Sequence, residues 1–168
     1  MLSGPMPPAL ATTETLLPPD RRQSPTALRI QRGVRRLFSE MGCVSLPEFS
    51  LANGRRADVI ALCGAGKLSI VEIKSSVADF RADRKWPDYR DFCDRFYFAI
   101  SDSVPEAMIP EACGLIIADA FGAAILREPA EHPLSGARRK AVTLRFAHSA
   151  ARLLHALADP GAVREGAL

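Results

Sequence analysis

Charged residues interrupt two segments that are otherwise apolar and typical of buried strands. The segment IVEIKSS, residues 70–76, carries Glu72 and Lys74 in its middle. Residues two apart on a strand point to the same face, so these two side chains project together. Asp58 lies in the preceding strand candidate, RRADVIAL, 14 residues before Glu72. A tight turn between the two strands can place Asp58 beside Glu72.

Two neighbouring carboxylates in a partly buried place repel each other, so they require either a raised pKa or a cation between them. Mg²⁺ suits oxygen ligands without His or Cys, because it binds one or two protein carboxylates and keeps several waters. Asp58 and Glu72 therefore predict a magnesium site, with Mn²⁺ as a substitute. A neighbouring lysine, here Lys74, can orient a bound water or neutralise charge that develops on a phosphate oxygen.

Turn signals predict how these residues are positioned. Three strand candidates, at residues 44–51, 56–62 and 68–74, are separated by Asn53-Gly54 and by a Gly-Ala-Gly turn. Such short connectors are typical of hairpins, so the three strands are predicted to form an antiparallel meander.

Helices are predicted on both sides of the meander. Ser24 and Pro25 indicate a helix start, and apolar residues at helical spacing continue until Gly42. Residues 79–94 are predicted to be helical around a proline, and their alternating acidic and basic side chains indicate a solvated, salt-bridged surface. A last helix is predicted over residues 137–158, with a wide apolar face that must pack on the sheet.

Further apolar segments complete the predicted sheet. Residues 96–100 and 115–118 read as buried strands joined by a proline-bounded helical crossover near Glu106, and residues 123–126 add an edge strand. This order of elements predicts an α/β sandwich with a mixed central sheet flanked by helices.

The length of 168 residues predicts a single domain, at residues 24–160. Residues 1–23 hold five prolines and no hydrophobic period, so they predict a disordered tail, and residues 161–168 predict a short C-terminal tail. The chain has neither a long apolar span nor a secretory leader, which predicts a cytoplasmic protein.

Composition excludes some function classes. The net charge of +3 is too small to indicate nucleic-acid binding by itself. No GxGxxG or GxxxxGK[ST] loop is present, which argues against a small-molecule enzyme with a nucleotide cofactor. The four cysteines, Cys43, Cys63, Cys93 and Cys113, have no metal-ligand spacing and are predicted to be reduced core residues.

Asp58, a 13-residue spacer and Glu72-Ile73-Lys74 together resemble the signature of the PD-(D/E)xK nuclease superfamily. The superfamily core has the same order of helix, meander, helix and strand. Ala57 replaces the proline that usually precedes the aspartate. Three longer segments are similar to the bacterial MmcB-type DNA repair proteins, over about residues 25–160: LPEFSLANGRRADVIAL, VEIKSSVADFRADRKWPDYRDFCDRFYFAIS and ARLLHALADP.

The resemblance implies a role for each residue of the motif. Asp58 and Glu72 are expected to be metal ligands, with the carbonyl oxygen of Ile73 as a third. Lys74 is expected to act on the attacking water. Catalysis is thereby assigned to Asp58, Glu72 and Lys74.

The resemblance also implies supporting residues outside the motif. Many members have a further acidic residue, for which Glu48 is the candidate and Glu40 the alternative, because Glu40 can instead pair with Arg36 four residues earlier. Some members carry Gln-x-x-x-Tyr on the next helix, and Lys85-x-x-x-Tyr89 lies at a similar position in this sequence.

Candidate DNA contacts lie close to the motif. Arg55 and Arg56 either form an exposed hairpin edge or bind the phosphates of the scissile strand. Trp86 is either a core anchor or a platform on which bases stack. With Lys85 and Tyr89, these residues form the predicted DNA-binding set.

The leading hypothesis is a DNA repair protein that is a Mg²⁺-dependent nuclease and hydrolyses phosphodiester bonds by metal-activated water. The alternative is a non-cleaving DNA-binding or partner-binding module of a repair complex that retains the nuclease fold. Both hypotheses predict DNA as a partner, together with other repair proteins.

Overall fold

The computed structural model describes residues 23–83 and 85–159. Except for Gln23, the two predicted tails lie outside the described residues. The described part contains three α-helices and six β-strands: α1 (Pro25–Glu40), β1 (Val44–Ser50), β2 (Arg56–Leu62), β3 (Leu68–Lys74), α2 (Val77–Ala82), β4 (Arg95–Ile100), β5 (Gly114–Ala118), β6 (Ala123–Arg127) and α3 (Gly136–Ala158). Short 3₁₀ segments lie at Gly64–Gly66, Trp86–Phe92 and Glu106–Met108.

The six strands form one mixed sheet in sequential order. Strands β1, β2 and β3 pair antiparallel, β3 pairs parallel with β4, β4 pairs parallel with β5, and β6 closes the sheet antiparallel to β5. The predicted meander and mixed central sheet are confirmed, and β2 and β3 have the predicted bounds. None of the described helices combines the length and the apolar character that a membrane crossing requires.

Helix α1 covers one face of the sheet. The Ser24 hydroxyl accepts a hydrogen bond from the backbone N–H of Ala27 at 3.1 Å, and Pro25 opens the first turn. Ile30, Val34 and Phe38 then bury one side of the helix against the sheet. This packing orients α1 behind the strands that carry the acidic residues.

The other face of the sheet carries the charged residues of β3. Leu68 and Ile70 pack in the cluster that includes α3 and the 3₁₀ segment Trp86–Phe92. Alternation along the strand places Glu72 and Lys74 on that same face. Glu72 and Lys74 therefore lie in line with Leu68 and Ile70, on the face of the sheet that other elements cover.

The alternation of side chains between the two faces of the sheet is interrupted once in β1 and once in β2. Leu46 and Phe49 pack in the same cluster although they are three residues apart, and Ala57 and Ile60 of β2 do the same. An unbroken strand would send residues three apart to opposite faces. On β1 the change occurs at Glu48, whose φ of 52° is uncommon for any residue except glycine.

The charged segment after β3 and the final helix differ from their predictions. Helix α2 ends at Ala82, and a separate 3₁₀ segment starts at Trp86, because Pro87 lacks an N–H and fits only in a first turn. In α3, the residues that are buried are Val142 and Phe146. Its predicted wide face against the sheet was wrong, since Leu144 and Leu154 are 53% and 64% exposed.

Cys43 and Cys63 form a disulfide, so the prediction of four reduced cysteines was wrong for this pair. The register of β1 and β2 sets Val44 opposite Leu62, and the two cysteines lie one residue beyond that pair, just outside the two strands. Their Cα atoms are 4.2 Å apart although 20 residues separate them in the chain. Cys93 and Cys113 are free and buried, as predicted.

Candidate active site

Asp58 and Glu72 lie where the hydrogen-bond ladder between β2 and β3 ends. The last paired residues are Val59 and Val71. Beyond them, the Asp58 carboxylate accepts a hydrogen bond from the backbone N–H of Ile73 at 2.7 Å, and the backbone N–H of Asp58 lies 3.4 Å from the Glu72 carboxylate. Each acidic side chain thus replaces a main-chain partner on the other strand, which holds the two residues side by side.

Burial dominates the electrostatics of this acidic pair. Glu72 is 6% exposed, and burial, followed by the charge of Asp58, raises the pKa of its carboxyl to about 9. Burial also raises the pKa of Asp58, although the Ile73 N–H opposes the shift. The pair consequently retains a proton at neutral pH unless a cation takes its place.

Lys74 has two acidic neighbours at different distances. Its ammonium lies 2.6 Å from the Asp83 carboxylate and 3.8 Å from that of Glu72, and the Phe98 ring lies beneath it with its centroid at 5.9 Å. Burial lowers the pKa of Lys74, but the hydrogen bond to Asp83 and the charge of Glu72 outweigh burial, so the net shift is upward. Lys74 is therefore a fully charged ammonium in the site.

Asp83 is a site residue that the sequence analysis missed. Its side chain is 13% exposed, so the prediction of a solvated surface was wrong at this position. Burial raises its pKa, but the hydrogen bond from Lys74 and one from the backbone N–H of Lys85 outweigh burial, and the pKa is lowered. No sequence signal distinguished Asp83 from the acidic residues around it.

Helix α2 brings Asp83 back over the site. The Ser76 hydroxyl caps the helix by accepting from the backbone N–H of Asp79, whose carboxylate in turn accepts from the N–H of Ser75. Phe80 then packs edge-on against Phe98 of β4, with ring centroids 5.5 Å apart. These contacts fold the segment after β3 against the strand face that carries Lys74.

The aromatic residues of the predicted DNA-binding set pack against the protein. Tyr89 is 6% exposed and its hydroxyl donates to the carbonyl oxygen of Arg56 at 3.2 Å. Burial and the nearby Glu72 carboxylate raise its pKa. Tyr89 thus forms a wall of the site and offers no free ring face to a base. Trp86 stacks on Phe96 at 5.8 Å, which favours its core-anchor alternative.

The predicted phosphate-binding arginines are engaged by carboxylates. Arg55 donates to Asp88 at 2.9 Å, and Arg56 lies 2.6 Å from the Glu48 carboxylate. Lys85 is exposed at the start of the 3₁₀ segment. A nucleic-acid phosphate approaching this edge would compete with protein carboxylates for both arginines.

Glu48 does not complete a three-carboxylate centre. Within residues 23–83 and 85–159, no group of three or more His, Cys, Asp and Glu side chains could hold a metal ion. The Glu48 carboxylate is instead occupied by Arg56 and by a hydrogen bond from Gln23. The alternative, Glu40, is exposed at the end of α1.

The fold and the site define an α/β protein with a mixed sheet. At the junction of its antiparallel meander with the parallel strands lie a half-buried aspartate, a buried glutamate and a buried lysine. The chain belongs to the family of MmcB-like DNA repair proteins, whose model matches residues 14–161. The predicted family is thereby confirmed, and membership supports a role in DNA repair.

Two solved structures are similar to the chain. A protein of unknown function from Silicibacter pomeroyi, SPO1766, shares 42% identity with a TM-score of 0.82, covering 86% of this chain and 99% of its own. SfsA from Pyrococcus furiosus, solved with Ca²⁺, shares 14% identity over 58% of each chain with a TM-score of 0.30, a likeness too low to support an inference. No curated protein matches.

Proposed function

We propose that this protein is a Mg²⁺-dependent deoxyribonuclease of DNA repair with a PD-(D/E)xK-type site. One observation supports this proposal most strongly: the half-buried Asp58 and the buried Glu72 lie side by side, and the Lys74 ammonium lies 3.8 Å from the Glu72 carboxylate. Membership of a DNA repair family makes DNA the expected substrate.

The chemistry of the two carboxylates suits a divalent cation. Burial raises the pKa of both groups more than the nearby charge of Lys74 lowers it, so the two carboxylates lack enough positive charge to stabilise both anions. Asp58 and Glu72 would hold the ion, with the Ile73 carbonyl oxygen, waters and a phosphate oxygen as further ligands. This number of carboxylates is usual for Mg²⁺, with Mn²⁺ as a substitute. When bound, the ion would lower the pKa of a water and polarise the phosphate.

Lys74 would supply the fixed positive charge of the reaction. A charged lysine in a low-dielectric site stabilises charge that develops on a phosphate oxygen more strongly than it could in water. Its shortest contact is with Asp83, so a bound phosphate or water must share the ammonium with that carboxylate or displace it. Arg55, Arg56 and Lys85 lie on the adjoining hairpin and 3₁₀ segment and would position the DNA backbone.

A second candidate function is a DNA-binding or partner-binding module that retains the fold without cleaving. Two observations favour it: Lys74 is already ion-paired with Asp83, and the described residues contain no group of three metal-ligating side chains. The two functions differ in whether phosphodiester bonds break, which binding measurements alone do not report.

A paired assay of cleavage and binding separates the two candidates. The purified protein is incubated with branched, nicked and single-stranded DNAs in Mg²⁺, Mn²⁺ or chelator, and affinity is measured at two salt concentrations. For a nuclease, Lys74→Met should reduce cleavage by about 10² or more and binding by at most about tenfold. Lys67→Met, at a lysine paired with Glu131 elsewhere, is the matched control.

The outcomes are distinct. Metal-dependent cleavage that survives Lys67→Met but not Lys74→Met supports the nuclease. Binding without cleavage by the wild-type protein supports the second candidate. Cleavage at the wild-type rate by a folded Lys74→Met protein would refute the role proposed for this lysine.

A further inference from the structure

Two charged residues of the candidate site are too buried to contact a substrate. Lys74 is 5% exposed and Glu72 is 6% exposed, although Lys74 would have to reach a phosphate and Glu72 a hydrated metal ion. The Asp83 carboxylate also occupies the Lys74 ammonium at 2.6 Å. A phosphate can therefore reach Lys74 only after an element that covers it has moved away.

Two elements lie over this end of β3, and the first is firmly anchored. The 3₁₀ segment Trp86–Phe92 buries Tyr89 and Phe92. The rings of Trp86 and Tyr89 stack on Phe96, with centroids 5.8 and 5.9 Å away. Moving this segment would expose several large aromatic side chains to water, which is unfavourable.

The second covering element, α2, is held more weakly. None of its six residues is buried, and a helix this short is not stable in water without tertiary contacts. Phe80 is partly buried and packs edge-on against Phe98, the ring that also lies beneath the Lys74 ammonium. Just beyond the helix, the ion pair between Asp83 and Lys74 is a second contact with β3. Of the two covering elements, α2 is therefore the one that can move at low cost.

We propose that residues 75–83 form a lid on the candidate site, which Phe80 and Asp83 hold closed. The lid opens by moving away from β3 and exposes Lys74, while the 3₁₀ segment stays in place. Its part in DNA cleavage rests on the proposed function: a DNA phosphate would replace Asp83 at the Lys74 ammonium and so keep the lid open. The movement itself needs no DNA and can be measured without cleavage.

Chemical labelling of lysine amines tests the lid directly. The full-length protein is treated with an acetylating reagent, and mass spectrometry follows the modification of Lys74 and of Lys67, whose side chain is 39% exposed. In the wild-type protein Lys74 should react at least about tenfold more slowly than Lys67, because it reacts only when the lid opens. Phe80→Ala should increase the rate at Lys74 by about fivefold or more and leave Lys67 unchanged.

A second variant weakens the lid without changing an apolar contact. Ser76→Ala removes the hydroxyl that caps α2, at an exposed position where the core is unaffected. It should increase the labelling rate of Lys74 by about threefold or more. The matched control for Phe80→Ala is Phe121→Ala, which removes an aromatic ring that is 83% exposed in the turn between β5 and β6. This control should leave the rate at Lys74 unchanged.

The buried thiols of Cys93 and Cys113 distinguish a local movement from general unfolding. They should stay unreactive towards a maleimide in all three variants. Faster labelling of Lys74 that is accompanied by reaction of these thiols would mean that the whole domain opens, and would overturn the proposal. A rate at Lys74 that Ser76→Ala and a folded Phe80→Ala protein both leave unchanged would also overturn it. Faster labelling in a protein that cleaves no DNA would support the lid and contradict only its part in cleavage.

Discussion

The Lys74 ammonium lies 2.6 Å from the carboxylate of Asp83, closer than to Glu72 of its own strand. Asp83 reaches this position because α2 folds back against β3 and ends next to the site. The lysine of the motif is thus held by a residue outside the motif. Any phosphate that binds at this edge must compete with the Asp83 carboxylate for the Lys74 ammonium.

We therefore expect Asp83→Asn to strengthen DNA binding. Removing the competing carboxylate releases Lys74 for a phosphate contact, and affinity at low salt should increase by roughly three- to tenfold. Fluorescence anisotropy with labelled DNA measures the change. Asp91→Asn, which removes the same charge from an exposed position of the 3₁₀ segment, is the control. Equal increases in both variants would show a general charge effect and contradict the competition.

Asp58→Asn and Glu72→Gln should each weaken Mg²⁺ or Mn²⁺ binding by about tenfold or more, because each change removes one of the two carboxylates that would hold the cation. Calorimetric titration of the folded proteins provides the test. Glu106→Gln, in the separate 3₁₀ segment Glu106–Met108, controls for nonspecific loss of negative charge. If the metal titrations of both site variants match that of the wild-type protein, Asp58 and Glu72 do not form the proposed metal site.

The metal-free protein should become less stable as pH rises from about 5 to about 9, because the raised pKa of Glu72 lets the folded state keep a proton that the unfolded state has released. The decline attributable to Glu72 is at most about 1.4 kcal/mol per pH unit. Urea unfolding in chelator at several pH values should show a shallower decline for Glu72→Gln. An identical slope in both proteins would contradict the raised pKa.

Asp94→Asn should lower the free energy of unfolding by about 3 kcal/mol, because it breaks a buried ion pair. The Asp94 side chain is fully buried and accepts hydrogen bonds from the backbone N–H groups of Leu68 and Leu134 and from two nitrogens of Arg139. Burial raises its pKa, but these hydrogen bonds outweigh burial and lower the pKa to about 2.

Asp88→Asn is the matched control for Asp94, since it breaks the exposed pair with Arg55. It should reduce stability by less than about 1 kcal/mol. Urea denaturation compares the two variants. Similar losses would mean that the Asp94 pair does not tie α3 to β3 and β4.

Gly33→Ala should reduce stability by about 2 kcal/mol or more, because α1 approaches the turn between β5 and β6 too closely for a side chain. A Cβ atom at Gly33 would lie 2.3 Å from the carbonyl oxygens of Asp119 and Gly122. Gly136→Ala, at a position with open space, should be neutral or slightly stabilising. Thermal melts of the two variants measure the difference, and equal melting temperatures would contradict the close packing.

Local signals in the sequence were sufficient for the first helix, for the strands and for the acidic pair. Asn53-Gly54 and the Gly-Ala-Gly turn specify tight connectors, and alternation specifies the strands, so β2 and β3 have the predicted bounds. Once two strands form a hairpin, their register follows from the turn. The proximity of Asp58 to Glu72 was predictable for that reason.

Contacts between distant segments depended on the tertiary structure. The partner of Lys74 depends on how far α2 folds back, and the disulfide depends on the register at the far end of the β1–β2 hairpin. Glu48 pairs with Arg56 and does not join the acidic pair. Its backbone has the left-handed conformation within a strand, which Glu rarely adopts. Hydrophobic periodicity indicates on which face of its own helix or strand a residue lies. Which side chains of separate elements meet is decided by bends and packing angles, whose energies arise only when the elements are assembled.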